Sequence, residues 1–207
     1  LIIQNTNYID QIIELSDCFE IRDFSINYAL NNKLIKNKTH LFHCELQAIH
    51  LFTNKQIDYI IKTLNSFPNI KGISLHASSC FKNPKFVGYK FEPNGTLVND
   101  TKLLSNFSDN INILKKEIGK NISIFIENNN FYHNDAYKYV CEPTFLKKLC
   151  LDNDVSLLLD ISHAKISVAN MQNKFHNFND YISQLPLNQI KQIHISKHSF
   201  KDNGEAY

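Results

Sequence analysis

The five cysteines, Cys18, Cys44, Cys80, Cys141 and Cys150, form no CxxC pair, and their number is odd. Neither a disulfide framework nor a thiolate zinc site is therefore expected. Reduced thiols, most of them small buried side chains, fit a cytoplasmic setting. No apolar run approaches the ~18 residues that suggest a membrane span. The opening LIIQNTNYID lacks a basic segment followed by a long apolar stretch, so no signal peptide is expected. It also lacks an initiator Met, so the chain is expected to start after the true N-terminus. With a net charge of +2, nothing electrostatic points to nucleic acid or a membrane as partner. Glycine is scarce, with five residues, and the wealth of Asn and Ile beside it is a compositional bias that carries no mechanism. No low-complexity linker divides the chain. At 43% hydrophobic residues, 1–207 is expected to form one domain with ample core.

What the sequence does contain is a series of short apolar runs that each end on a histidine or a carboxylate. In VSLLLDISH (residues 155–163) the run meets Asp160, and His163 follows. A run without polar alternation reads as a strand buried on both faces, as in a parallel sheet. Similar runs place His43 in HLFHCEL, His76 in GISLHAS, Glu127 in ISIFIENN and His194 in QIHIS. His43 and His76 are 33 residues apart, Glu127 and Asp160 33, Asp160 and His194 34. A (β/α)8 barrel of ~250 residues spends roughly 31 residues per unit and keeps its chemistry at the C-terminal strand ends. The expected fold class is thus α/β, a (β/α)8 TIM barrel.

Seven strands are expected, over residues 2–5, 18–24, 40–46, 72–77, 122–127, 155–160 and 192–196. Amphipathic helices are expected over 8–15, 54–67, 101–118 and 142–151, with a short one ending before Pro186. Between them, 25–38 reads as broken helix and loop, and 78–98 as a long aromatic loop. No sequence remains for an eighth strand and its helix after QIHISKHSF. The chain is therefore expected to lack a C-terminal piece of the barrel.

Each candidate residue also has an ordinary explanation. A lone strand histidine such as His43 or His76 is often a hydrogen-bonded core residue, Asp160 can cap a helix, and His163 can simply be exposed. Glu127 and Asp160 are harder to explain this way, because a carboxylate after several apolar residues must be paired, coordinated or protonated. His194, between Ile193 and Ile195, should point opposite to both. Jointly, His43, His76, Glu127, Asp160, His163 and His194 suggest more than one metal ion sharing bridging carboxylates. Histidine and carboxylate without thiolate suit iron, manganese or zinc. Of these six, Glu127, Asp160 and His194 are the candidate catalytic groups. Glu20, in CFEIRDF, is a further candidate site residue. His40, His50, His133 and His176 read as surface or loop residues, and His198 is ambiguous.

The runs IFIENNNFY, EPTFLKKLCLDNDVSLLLDISHAKISVAN and DYISQLPLNQIKQIHISKH resemble the multinuclear non-haem iron-dependent oxidases. That family includes the oxidase of methanobactin biosynthesis and enzymes that modify cysteines of ribosomally made peptides. CFEIRDF, HLFHCEL and GISLHAS fit the same order more weakly. The resemblance implies iron ligands at His43, His76, Glu127, Asp160 and His194, and His163 matches the histidine of the peptide-modifying members. It implies two or three iron ions, mixed ferrous and ferric, with zinc or manganese as the alternative. It also implies further ligands, an Asp-x-His and a Glu, beyond the EAY at which the sequence stops.

Three functional classes follow. The first is an O2-using iron oxidase acting on cysteines of a precursor peptide, together with a leader-peptide-binding partner protein. Here Phe81–Phe91 and Asn128–Tyr139 are expected to wall the peptide. The second is an endonuclease IV-like metal-dependent phosphodiesterase or a sugar isomerase on the same barrel. A DNA-processing member should carry a basic groove, and no Lys/Arg strip is present. The third is a non-catalytic relative that only binds metal or peptide.

Overall fold

The computed structural model describes residues 9–119, 121–171, 174–200 and 206–207. In chain order the strands are β1 (Cys18–Arg22), β2 (Thr39–Gln47), β3 (Ile70–His76), β4 (Lys85–Val87), β5 (Lys90–Glu92), β6 (Ser123–Glu127), β7 (Ser156–Asp160) and β8 (Ile190–His194). The helices are α1 (Ile9–Leu15), α2 (Ile26–Asn31), α3 (Lys33–Lys36), α4 (Asn54–Ser66), α5 (Asp100–Ile118), α6 (Pro143–Asn153), α7 (Ile161–Asn170) and α8 (Phe178–Gln184). Six strands pair in parallel in the order β1-β2-β3-β6-β7-β8, while β4 and β5 form a separate antiparallel hairpin. The apolar stretch at 2–5, expected as a first strand, lies outside the described residues. No helix among the described residues is long and apolar enough to cross a membrane.

Among the described residues the expected strand–helix alternation appears, for local reasons. Residues 157–159 of β7 are buried on both faces, as a parallel strand covered by helices must be. Helix α4 starts where Thr53 and Gln56 cap each other reciprocally and buries Ile60 and Leu64. Helix α5 is capped by Asn99, buries Leu103, Phe107, Ile111 and Leu114, and stops at Gly119, whose φ is 75°. Pro143 occupies the first turn of α6, where its missing N–H costs nothing. Gly72 is required by packing: a Cβ there would lie 2.5 Å from Phe125 Cε2 and 3.1 Å from Leu41 Cδ2.

Two segments depart from the sequence reading. The loop 78–98 contains the β4–β5 hairpin, turned at Gly88 (φ 66°), with Phe86 and Phe91 in edge contact at 5.2 Å. And α7 begins directly after Asp160, where no helix was expected. The sheet itself curls. Glu20 on β1 and His194 on β8, from opposite edges of the strand order, meet at 2.7 Å. The strands thus form the wall of a (β/α) barrel, as expected, with their C-terminal ends around one mouth. Among the described residues β1 and β8 do not pair through their backbones.

Candidate metal centre

The mouth is a cavity of about 630 Å³, and His43, His76, Glu127, Asp160, His163 and His194 all line it. Strand register accounts for the convergence. His76 pairs with Glu127 and Asp160 with His194, while Glu127 itself pairs with Leu158, so the second pair sits two residues further along the sheet; all four are the last residues of their strands. His43 pairs with Ser74 instead, because β2 runs on to Gln47 with an irregularity between the two.

Glu127 is the centre of the group, only 3% exposed. Its Oε2 lies 3.6 Å from His43 Nε2 and 3.3 Å from His76 Nδ1. Its Oε1 lies 3.4 Å from His194 Nδ1 and 3.6 Å from His163 Nδ1. One carboxylate therefore presents each oxygen to a different pair of imidazoles. His43 and His76 also approach each other at 3.0 Å between their Nε2 atoms, and Ser74 Oγ lies 3.0 Å from His43 Nδ1.

Asp160 fulfils the ordinary reading and the site reading together. Its Oδ1 accepts from the His163 backbone N–H at 2.8 Å and caps α7. Its Oδ2 is left facing His194 Nδ1 at 3.9 Å and His163 Nε2 at 4.0 Å. The cap is also why His163, one turn beyond the strand, swings back over Glu127. His163 Nδ1 lies 2.9 Å from the Asn128 carbonyl, which leaves Nε2 as the free nitrogen of that ring. Asn128 itself bridges β6 to β7: its amide donates to the Asp160 carbonyl at 3.0 Å and accepts from the Asp160 N–H at 2.7 Å.

The electrostatics follow from this crowding. Burial would raise the Glu127 carboxyl, but its hydrogen bond with His194 and the nearby His76, His163 and His43 outweigh that and hold it at about 2. Burial and the adjacent His76 push His43 down to about 3, leaving it neutral at pH 7, the form that binds metal. For His194 burial acts downward, yet the hydrogen bonds with Glu127 and Glu20 prevail and lift it to about 9.

Three further polar residues, Glu20, Arg22 and Gln192, line the mouth, and Glu45 stands beside it. Glu20 reaches His194 from β1, and Gln192 on β8 donates to it as well. Arg22, the single arginine of the sequence, spans Glu20 at 3.5 Å and Glu45 at 3.6 Å. Glu45 Oε2 stands 3.5 Å from His76 Nε2. Arg22, Glu45 and Gln192 escaped the sequence reading, although each lies two positions from a recognised candidate and therefore on the same strand face. Cys18, the exposed cysteine, is also at the mouth, and burial together with Glu20 keeps its thiol raised.

Other expectations need correction. His40 lies buried within β2, neither surface nor loop, while His50 is in a loop as expected but is buried there. His40 packs its ring on Phe67 at 5.2 Å, and His50 Nε2 lies 2.9 Å from the Ser79 carbonyl, tying the loop after β2 to the loop after β3. His133 and His176 are exposed, as expected. His198 packs on Phe200 and does not line the mouth. Nor do the two expected peptide walls, 81–91 and 128–139, line it. They pack on each other instead: Phe91 N–H donates to Tyr137 Oη at 2.6 Å, and Tyr89 lies 5.3 Å from Tyr132.

These residues fit a metal. Glu127 Oε2 is buried with no hydrogen-bond donor, which is costly unless a cation takes it. Three groups, Glu20–His43–His194, His43–His76–Glu127 and Glu127–Asp160–His163, each have ligand-type atoms within 4.8 Å of one another. They share His43 and Glu127, so the cluster is continuous. Its donors are imidazole and carboxylate only, the set that suits Fe, Mn or Zn.

Solved structures similar to this one include D-psicose 3-epimerase in the presence of D-fructose, with 18% identity and a TM-score of 0.56 over 92% of this chain and 66% of that one. D-psicose 3-epimerase with D-tagatose from Clostridium cellulolyticum H10 gives 14% identity and a TM-score of 0.54, again over 92% and 66%. At such identities they show the barrel fold alone. Among sequences, a UPF0276 protein of Acaryochloris marina (strain MBIC 11017) is 29% identical over 118 residues, 56% of this chain and 40% of that protein. One of Caulobacter vibrioides is 31% identical over 78 residues, 37% of this chain and 26% of that protein. The chain thus spans less than half the length of these relatives. Residues 57–207, which carry five of the six converging side chains, match the profile of the RiPP precursor modification enzymes MbnB/TglH/ChrH, and the chain belongs to that family.

Proposed function

We propose that this protein is a multinuclear iron-dependent oxidase that uses O2 to modify a cysteine residue of a ribosomally made precursor peptide. The observation behind it is Glu127, a buried carboxylate whose two oxygens each face a separate pair of imidazoles. That is the arrangement of a bridging ligand. In this reading His43, His76 and Glu127 would hold one ion, and Glu127, Asp160, His163 and His194 would hold a second. The family's description as modifiers of peptide precursors supports the substrate class.

Iron at these positions would supply Lewis acidity toward a thiolate and the electrons that reduce O2. The rest is the work of the chain. His43 is already neutral and so binds without giving up a proton. Asp160 and Asn128 lock the direction of His163 through the helix cap and the carbonyl contact. Leu41 adds an apolar side chain to the cavity lining beside the polar groups. A cavity of about 630 Å³ admits a few peptide residues. The remainder of a precursor then needs another holder, which is the role assigned here to a separate leader-binding protein.

The test is to incubate the iron-reconstituted protein, with the neighbouring leader-binding protein, and small cysteine-bearing peptides encoded beside it. A mass change confined to the cysteine, lost without O2 and lost in a Cys→Ser peptide, is expected. Zinc as the only metal retained, with cleavage of abasic-site DNA and no change to any peptide, would replace this reading with a hydrolase.

A further inference from the structure

Glu20 stands behind the cluster, on the side of two histidine rings that faces away from Glu127. Its Oε2 is 2.7 Å from His194 Nε2, and its Oε1 is 3.6 Å from His43 Nδ1. The opposite nitrogens of the same rings face inward: His194 Nδ1 lies 3.4 Å and His43 Nε2 3.6 Å from Glu127. Two imidazoles from β8 and β2 are thus held between an inner and an outer carboxylate.

We propose that Glu20 is a positioning residue: it accepts the Nε2–H of His194 and thereby fixes Nδ1 as that ring's ligating atom, while steadying His43 with Nε2 inward. The inference rests on the metal-centre reading above. A carboxylate on the far nitrogen of a ligand histidine sets its tautomer and raises its basicity. Glu20 is itself held for this purpose. Arg22 lies 3.5 Å from Oε1, and the Gln192 amide donates to Oε2. Burial would raise the Glu20 carboxyl, yet the His194 hydrogen bond, His43 and Arg22 outweigh it and hold it below the ordinary range.

Geometry speaks against Glu20 being a ligand in its own right. Two neighbouring donors bound to one ion at about 2.1 Å stand about 3.0 Å apart in octahedral and about 3.4 Å apart in tetrahedral geometry. The 2.7 Å between Glu20 and His194 is a direct hydrogen bond. His43 Nδ1, moreover, already has Ser74 Oγ at 3.0 Å, so a third ion between Glu20 and His43 would have to displace that contact.

The experiment compares wild type, Glu20→Gln and Glu20→Ala. Each protein is stripped of metal and titrated anaerobically with ferrous ion against a chromophoric chelator. The proposal expects the same number of ions per chain at saturation in all three. It expects the weakest-held ion to bind about 10–100-fold less tightly in Glu20→Ala. Glu20→Gln, which keeps an acceptor for the Nε2–H, should lie between the two. Unchanged affinity in both variants, or a drop that merely tracks a lower melting temperature of the metal-free protein, would overturn it. So would the loss of one whole ion at saturation in both, which would make Glu20 a ligand. Wild type that binds no ferrous ion would instead remove the metal-centre reading, and this inference with it.

Discussion

At the scale of single residues, Asp160 is the clearest case of one side chain carrying two roles. Oδ1 caps α7 and Oδ2 faces the imidazoles. The roles separate by substitution, because Asn caps a helix about as well as Asp, whereas Ala costs about 1 kcal/mol. Asp160→Asn is expected to match wild type in urea denaturation of the metal-free protein, and Asp160→Ala to fall short by that amount. Both should lose most bound metal. Full metal content in Asp160→Asn would remove Asp160 from the ligand set. Much of this site was legible at the residue level. A carboxylate that ends an apolar run has few inexpensive fates, and Glu127 and Asp160 could be recognised on that ground alone. Glu45 and Gln192 were not, since a Glu or Gln outside an apolar run carries no comparable signal; only their spacing from His43 and His194 marks them.

Elements explain how the residues stay in place. The turn from β6 is pinned to β7 by Asn128, whose side chain takes both backbone hydrogen bonds of Asp160 and whose carbonyl meets His163. Asn128→Ala takes the partner from the Asp160 N–H, at about 1–3 kcal/mol, and removes one bond from a C=O that also opens α7. A loss of roughly 1–3 kcal/mol in chemical denaturation is therefore expected, with weakened metal binding because Asp160 and His163 are both released. A loss below about 1 kcal/mol would show that the backbone finds water or other partners there. The same scale shows where sequence reasoning stopped. Strands and long helices announce themselves by apolar period. The β4–β5 hairpin has only three residues per strand, too few for a period to emerge, and its pairing depends on Phe86 meeting Phe91. Helix α7 was missed because its sequence, ISHAKISVAN, is small and mixed; its start is set by the Asp160 cap and not by an amphipathic stripe. The burial of His40 and His50 was not foreseen because histidine is polar. Their burial comes from Phe67 and from the Ser79 carbonyl, partners distant in sequence.

For the whole molecule, the barrel gathers residues spread from position 20 to position 194 into one mouth, and the curl of the sheet is what joins the ends. Glu20 and His194 belong to the outermost strands, yet they share a hydrogen bond. Repeat spacing made the convergence of His43, His76, Glu127, Asp160 and His194 foreseeable, because parallel strands put their C-terminal ends on one side. Glu20 on β1 was a candidate as well, but its contact with His194 depends on the curvature of the sheet and not on spacing. The central claim is that Glu127 bridges two ions within this mouth. It is tested most directly by counting metal in wild type and Glu127→Gln after anaerobic iron reconstitution and removal of loosely bound ions, with Mössbauer spectra of both. The account predicts more than one iron per wild-type chain, with spectra showing coupled ions, and loss of most of that iron in Glu127→Gln. One iron or fewer per wild-type chain, or an unchanged count in Glu127→Gln, would contradict it.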